Sequence, residues 1–140
     1  MEYKRSDIRE ITLLSLEDYE RNHYIIPTSD NWWWLKSGSP FRRNVAYVFI
    51  DGDAYAQGYK VTSCADIRPL IYIDNEKSKD LVPGSVVKIG KYTATVLSDR
   101  SCLIDYGVCR RRFDSDYNDY ERSEIKKYLQ TDEFMNMLCG

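Results

Sequence analysis

The sequence predicts an α+β fold, a small, twisted, mostly antiparallel sheet with two short helices. Three observations predict it. Short apolar or alternating runs that read as strands recur at 32–35, 45–50, 53–59, 67–73, 85–89, 92–97 and 102–106. Turn signals separate them at Ser37-Gly38-Ser39-Pro40, Asp51-Gly52, Pro83-Gly84, Gly90-Lys91 and Asp99-Arg100. Helical signatures, by contrast, stand only behind Ser15 and behind Ser123.

In order along the chain, residues 1–10 are charged and read as a short leader. Ile11-Thr12-Leu13-Leu14 is an apolar, β-prone run. Ser15 then caps a brief helix, with Asp18 at the third helical position as a shortened capping box. Pro27 and Thr28-Ser29-Asp30-Asn31 end it in a loop. In the strand from Trp32 to Leu35, alternation places Trp32 and Trp34 on one face and Trp33 and Leu35 on the other. A strand apolar on both faces belongs in a central or doubly covered position. Val45–Ile50 and Asp53–Tyr59 form a hairpin around Asp51-Gly52, with Gly58 a candidate bulge. Pro69 inside 67–73 implies an edge position or an irregular start.

Residues 74–83 read as a polar, exposed connector, after which 85–106 read as a three-stranded meander. Phe113–Tyr120 is a polar, tyrosine-bearing loop. Ser123 caps a helix with Ile125, Tyr128 and Leu129 on one side. Phe134, Met135 and Leu138 extend it as a last turn or a second short helix.

A chain of 140 residues accommodates one domain, residues 1–140, with a sizeable core. Apolar residues make up 43% and charged residues 30%, an ordinary globular balance. The 12 tyrosines suit half-buried strands, and tyrosine also serves contact surfaces well. A net charge of −2 argues against general affinity for nucleic-acid backbones. The one basic run, Arg110-Arg111-Arg112, is followed at once by Asp114, Asp116 and Asp119. The four cysteines form no C-x2-C pair and the single histidine, His23, is remote, so neither a zinc site nor any cofactor is expected. Cys102 and Cys109 could approach across a hairpin. No apolar run follows Met1 and none approaches membrane-spanning length, which implies a cytoplasmic protein with free thiols.

Three runs carry a family resemblance: Leu13-Leu14-Ser15-Leu16-Glu17-Asp18-Tyr19, Trp33-Trp34-Leu35-Lys36-Ser37-Gly38-Ser39 and Asp66-Ile67-Arg68-Pro69-Leu70. In this order, residues 11–73 resemble the C-terminal half of a bacterial and phage domain of unknown function whose hallmark is a W-W-L-R-S-P-G run. Residues 84–140 resemble its N-terminal half more weakly, through Gly84–Leu97, where Ala94 replaces a tryptophan, and through Ser123–Phe134. The resemblance implies a C-type-lectin-like fold, in the version shared with formylglycine-generating enzymes. The two halves are circularly permuted, with 74–83 joining the usual ends. Closure within one chain is favoured over exchange between two chains, so a monomer or an exchanged dimer is expected. Lys36 and Gly38-Ser39-Pro40 depart from the family's Arg and Pro-Gly.

No catalytic constellation stands out. The cysteine pair of formylglycine-generating enzymes is missing from the matching strand, His23 is a lone loop histidine, and no lectin-type calcium run is present. The expected function is therefore non-catalytic binding of another protein. Its candidate surface is the acidic, aromatic loop with Asp114, Asp116, Tyr117, Asp119, Tyr120 and Glu121, whose carboxylates suit a basic, nucleic-acid-binding host protein. The specific version is a phage-type inhibitor of a host defence nuclease, an anti-CRISPR-like role. It involves no direct nucleic-acid or membrane contact. The alternative is a carbohydrate or small-ligand platform on Trp32, Trp34, Lys36 and Arg68. An enzyme of unrecognised mechanism is the third class.

Overall fold

The structure, a computed structural model, describes residues 1–140 as eleven strands and four helices. β1 (Glu2–Tyr3) and β2 (Ile8–Thr12) precede α1 (Leu16–Asn22). Then come β3 (Trp33–Gly38), β4 (Asn44–Val48), β5 (Ala54–Lys60), β6 (Cys64–Ile67) and β7 (Leu70–Ile73). A single helical turn, α2 (Asn75–Ser78), leads to β8 (Val86–Ile89), β9 (Tyr92–Val96), β10 (Cys102–Ile104) and β11 (Cys109–Arg112). α3 (Glu124–Leu129) and α4 (Asp132–Cys139) close the chain. The α+β class is thus the observed one.

The strands form two sheets rather than one. The first has six strands in the order β1-β8-β9-β10-β7-β2, the second five in the order β11-β6-β3-β4-β5. Pairing is antiparallel except for β1 with β8 and β3 with β6. The stretch 67–73, expected as a single strand, is divided between the two sheets. Pro69 cannot donate to a ladder, and the chain bends at Arg68-Pro69, leaving β6 in the second sheet and starting β7 in the first. Beside it, β10 passes to β11 through Asp105–Val108. Ile104 N–H donates to Pro69 O at 3.1 Å and Val108 N–H to Ile67 O at 3.0 Å, so the two-stranded ribbon stays bonded through its bend.

Each face of the paired sheets carries its own core. One cluster of 23 buried residues takes Trp34, Val45, Ile67, Ile71 and Ile89 from the strands and Ile125, Leu129, Phe134 and Leu138 from α3 and α4. The other, of 10 residues, packs Trp33, Leu35, Ala46 and Val48 against Leu14, Tyr19 and Ile26 around α1. β3 lies at the centre of its sheet, and its alternation deals Trp34 to the first cluster and Trp33 and Leu35 to the second, as the apolar pattern implies. Residues 1–81 and 84–138 both contribute to the larger cluster.

Other expectations need correction. Residues 1–10 are not a leader: Tyr3 is buried, β1 pairs with β8, and β2 pairs with β7. Their charge is that of sheet-edge strands, which favour charged side chains on their open side. Ser15 does accept from Asp18 N–H at 3.1 Å, but the Asp18 carboxylate turns to Arg21 at 2.6 Å instead of closing a capping box. Segment 74–83 is exposed for the most part, yet it contains α2 and buries Leu81. Helices number four rather than two: of the two alternatives for Phe134–Leu138 the separate helix is the one formed, α4 with its own Thr131 cap, and α2 adds a turn within 74–83. β11 lay hidden in the basic run 110–112. Cys102 and Cys109 lie in different sheets, and all four thiols are free.

Candidate functional site

The Asp51-Gly52 hairpin builds an aromatic surface. Tyr47 and Tyr55 stand equally far from Asp51, so the antiparallel register pairs them directly, and their rings stack at 5.1 Å and 15°. Gly58, at φ +75°, bulges the return strand, because a Cβ there would lie 2.6 Å from Val45 O. The bulge keeps Tyr59 on the same face, 6.1 Å from Tyr47 and 5.3 Å from Trp32. Trp32 in turn meets Trp34 at 5.0 Å and Tyr47 at 5.2 Å, edge to face. The rim of this surface stays uncovered: Tyr55 is 37% exposed, Tyr59 48%, and the neighbouring Phe49 40%.

Between them lies an open cleft of about 330 Å³ lined by Trp32, Tyr47, Phe49, Tyr59 and Ser63. This is the low end of the size range of small-molecule sites. No charged side chain lines it. Burial, then the neighbouring Tyr55 and Tyr59, raise the Tyr47 phenol above its ordinary value, so it remains a neutral hydrogen-bonding group at physiological pH. The cleft offers aromatic faces edged with hydroxyls.

Of the expected platform residues, only Trp32 belongs here. Trp34 is fully buried and donates from Nε1 to Arg111 O at 2.9 Å. Lys36 is half-buried with Nζ 5.7 Å from the Tyr120 ring, away from the cleft. Arg68 is fully buried at the bend, donating from Nε to Ile104 O at 2.7 Å and lying 4.6 Å over the Trp33 ring. Its Nη1 and Nη2, like Trp33 Nε1, have no acceptor. Burial pulls the guanidinium down to about 10. The platform reading for Trp34 and Arg68 thus gives way to packing, since neither can reach a ligand.

The acidic loop is held in place by its own charges. Asp114 accepts from the backbone N–H groups of Asp116, Tyr117 and Glu124 at 3.0–3.1 Å, tying the loop to the start of α3. Partial burial opposes its ionisation, but these bonds outweigh burial and hold its pKa below the usual carboxylate range. Asp116 pairs with Arg43 at 3.3 Å and Asp119 with Arg122 at 3.7 Å, while Glu121 pairs with Lys126. The phenol of Tyr117 accepts from Arg42 at 3.0 Å. Asn118 Nδ2 lies within bonding distance of the carbonyls of Ser39, Phe41 and Asn44, which clamps the loop to the turn before β4. Tyr120 is buried in the larger core with its hydroxyl 3.0 Å from Thr12 Oγ1, and is no surface contact.

His23 is exposed beside Tyr19 and Tyr24. No three or more His, Cys, Asp or Glu side chains converge closely enough to hold a metal ion. No helix is long and apolar enough to cross a membrane.

Sequence reasoning passed over Tyr47, Phe49, Tyr55, Tyr59 and Ser63. A signal was present: aromatic residues at matching distances on both sides of an Asp-Gly turn. No family model, curated protein or solved structure matches the chain.

Proposed function

We propose that this chain is a non-catalytic binding module whose contact surface is the aromatic cleft on β4 and β5. One observation carries the reading: Trp32, Tyr47, Phe49 and Tyr59 surround an uncovered cleft that has hydroxyl groups but no charge. A neutral ligand with apolar faces and hydroxyl edges, such as a sugar ring, fits that chemistry. Anionic ligands gain nothing from it, since no lining cation would balance a phosphate or carboxylate. The test is titration of tryptophan fluorescence with neutral cello-, chito-, malto- and xylo-oligosaccharides. At least one should bind the native protein, and Trp32→Ala should abolish binding while leaving the circular dichroism spectrum unchanged. If the folded native protein binds none of them, the carbohydrate reading is wrong.

A second reading places a protein partner on the acidic loop, with a basic, nucleic-acid-binding protein of a bacterial host as the expected class. Its support is that Asp116 and Asp119 keep side-chain exposures of 45% and 53% despite their ion pairs. The internal pairing of these carboxylates leaves less charge for a partner, and therefore ranks this reading second. A pull-down from bacterial lysate with Asp116→Ala, Asp119→Ala and Glu121→Ala combined separates the two. A stoichiometric protein captured by the native chain and lost in that variant would favour the loop.

A further inference from the structure

The aromatic cleft has no charge of its own, but a second recess adjoins it across the link from β5 to β6. In the sheet order β11-β6-β3-β4-β5 these two strands are not neighbours, so residues 61–63 cross β4 and β3 to connect them. The link is pinned along its length. Buried Val61 donates to Arg43 O at 2.9 Å, and its carbonyl accepts from the N–H groups of Phe113 and Asp114 at 2.9 and 3.1 Å. Ser63 N–H donates to Lys60 O at 3.0 Å. Tyr59 and Ser63 line the cleft, whereas Lys60, Val61 and Thr62 line the recess, so this link is the wall between the two.

The recess has the chemistry that the cleft lacks. It encloses about 300 Å³, and Arg43, Lys60, Thr62, Ser115 and Asp116 are among its lining residues. Two cations face one carboxylate there, which leaves one positive charge in excess. Lys60 is exposed and enters no ion pair. Arg43 pairs with Asp116 at 3.3 Å, but both side chains are solvent-exposed. Such a pair is weak, and a ligand anion can exchange for it. The hydroxyls of Thr62 and Ser115 add neutral donors.

We propose that the recess is a carboxylate subsite for the ligand of the cleft, so that the ligand class is an acidic oligosaccharide. This rests on the reading of the cleft as a sugar site. A sugar ring lies among Trp32, Tyr47, Phe49 and Tyr59, and a carboxylate on the same chain reaches past the 61–63 link to Lys60 and Arg43. The choice of a carboxylate follows from Asp116, which already holds that group against Arg43 in the recess. A guanidinium and a carboxylate match in geometry as well as in charge. Asp116 thereby competes with the ligand for Arg43, and Lys60 supplies the uncompensated charge.

The test uses matched ligands. Cello-, chito- and malto-oligosaccharides are titrated by tryptophan fluorescence beside counterparts whose C6 hydroxyls are oxidised to carboxylates. At least one acidic counterpart should bind the native chain at least about fivefold more tightly than its neutral parent in about 0.01 M salt. The preference should shrink toward unity in about 1 M salt, because exposed charges are screened there. Lys60→Gln combined with Arg43→Gln should remove the preference, and Asp116→Asn should enlarge it. Circular dichroism identifies which variants keep the fold. Neutral chains that bind at least as tightly as every acidic counterpart overturn the carboxylate subsite and leave the sugar reading of the cleft in place. A preference that persists in the folded Lys60→Gln, Arg43→Gln variant does the same. A native chain that binds neither series overturns both.

Discussion

Replacing Arg68 with methionine tests the account of the bend. The side chain is fully buried, and only Nε has an acceptor. Its fall from the usual 12.5 to about 10 corresponds to about 3 kcal/mol against the charged form. Against this stand the charged hydrogen bond to Ile104 O, about 1.5–3 kcal/mol, and the contact over the Trp33 ring, about 1–2 kcal/mol. The two sides nearly balance. Methionine is of similar length, unbranched and able to fill the same space. Arg68→Met should therefore leave stability within about 1 kcal/mol of native in urea unfolding at neutral pH, with an unchanged m value. Arg68→Ala, which leaves a cavity beside Trp33, should cost about 3–5 kcal/mol. Because the folded pKa is depressed, the charge penalty is present at every pH below about 10 and fades only as pH rises toward the unfolded value. The difference between native and Met variant should thus be flat from about pH 6 to pH 9. A loss of about 3 kcal/mol or more in Arg68→Met, with m unchanged, would refute the reasoning. It would mean that Nη1 and Nη2 find acceptors in solution and that the charge stabilises the bend.

Three further perturbations read other parts of the molecule. Asp114→Ala removes three backbone caps and should cost about 1–2 kcal/mol at neutral pH in urea unfolding. Its depressed pKa places that contribution above the ordinary carboxylate range, and it is lost as pH falls through the folded value. Native and variant stabilities should therefore converge as pH falls below the ordinary carboxylate range. Gly58→Ala places a Cβ 2.6 Å from Val45 O at a positive φ and should cost about 2–4 kcal/mol, seen as a lowered midpoint of thermal unfolding. Under native conditions an aromatic disulfide reagent should modify exposed Cys64 rapidly. Buried Cys102, its thiol pushed by burial up to about 12, should react only as fast as the protein opens.

Local chemistry made many elements legible. The two helix starts were visible because Ser15 and Ser123 each bond a backbone N–H three residues on, a contact wholly within one turn. The Asp51-Gly52 hairpin, the Gly58 bulge and the β8–β9–β10 meander were legible for the same reason, since tight turns and two-residue alternation are short-range signals. β11 was hidden because Cys109–Arg112 is an edge strand whose three arginines read as a charge run, yet Asp66 opposite it accepts from Arg110 at 3.1 Å.

What the sequence by itself determined was the α+β class, the placement of most strands and the two faces of the Trp32–Leu35 run. These follow from period and turn chemistry, which act over a few residues. Tertiary structure alone decided that 67–73 would divide between two sheets, because the direction of the bend at Arg68-Pro69 depends on β10 and β11 packing beside it. It also decided which aromatic and acidic residues face outward. Tyr120 and Trp34 are buried, bonded to β2 and β11, whereas Tyr55 and Tyr59 stay exposed. The charges of 114–121 found partners in Arg43, Arg122 and Lys126, and only Arg43 lies in a distant part of the chain. Burial is a property of what packs against a residue, and a surface exists only where packing stops.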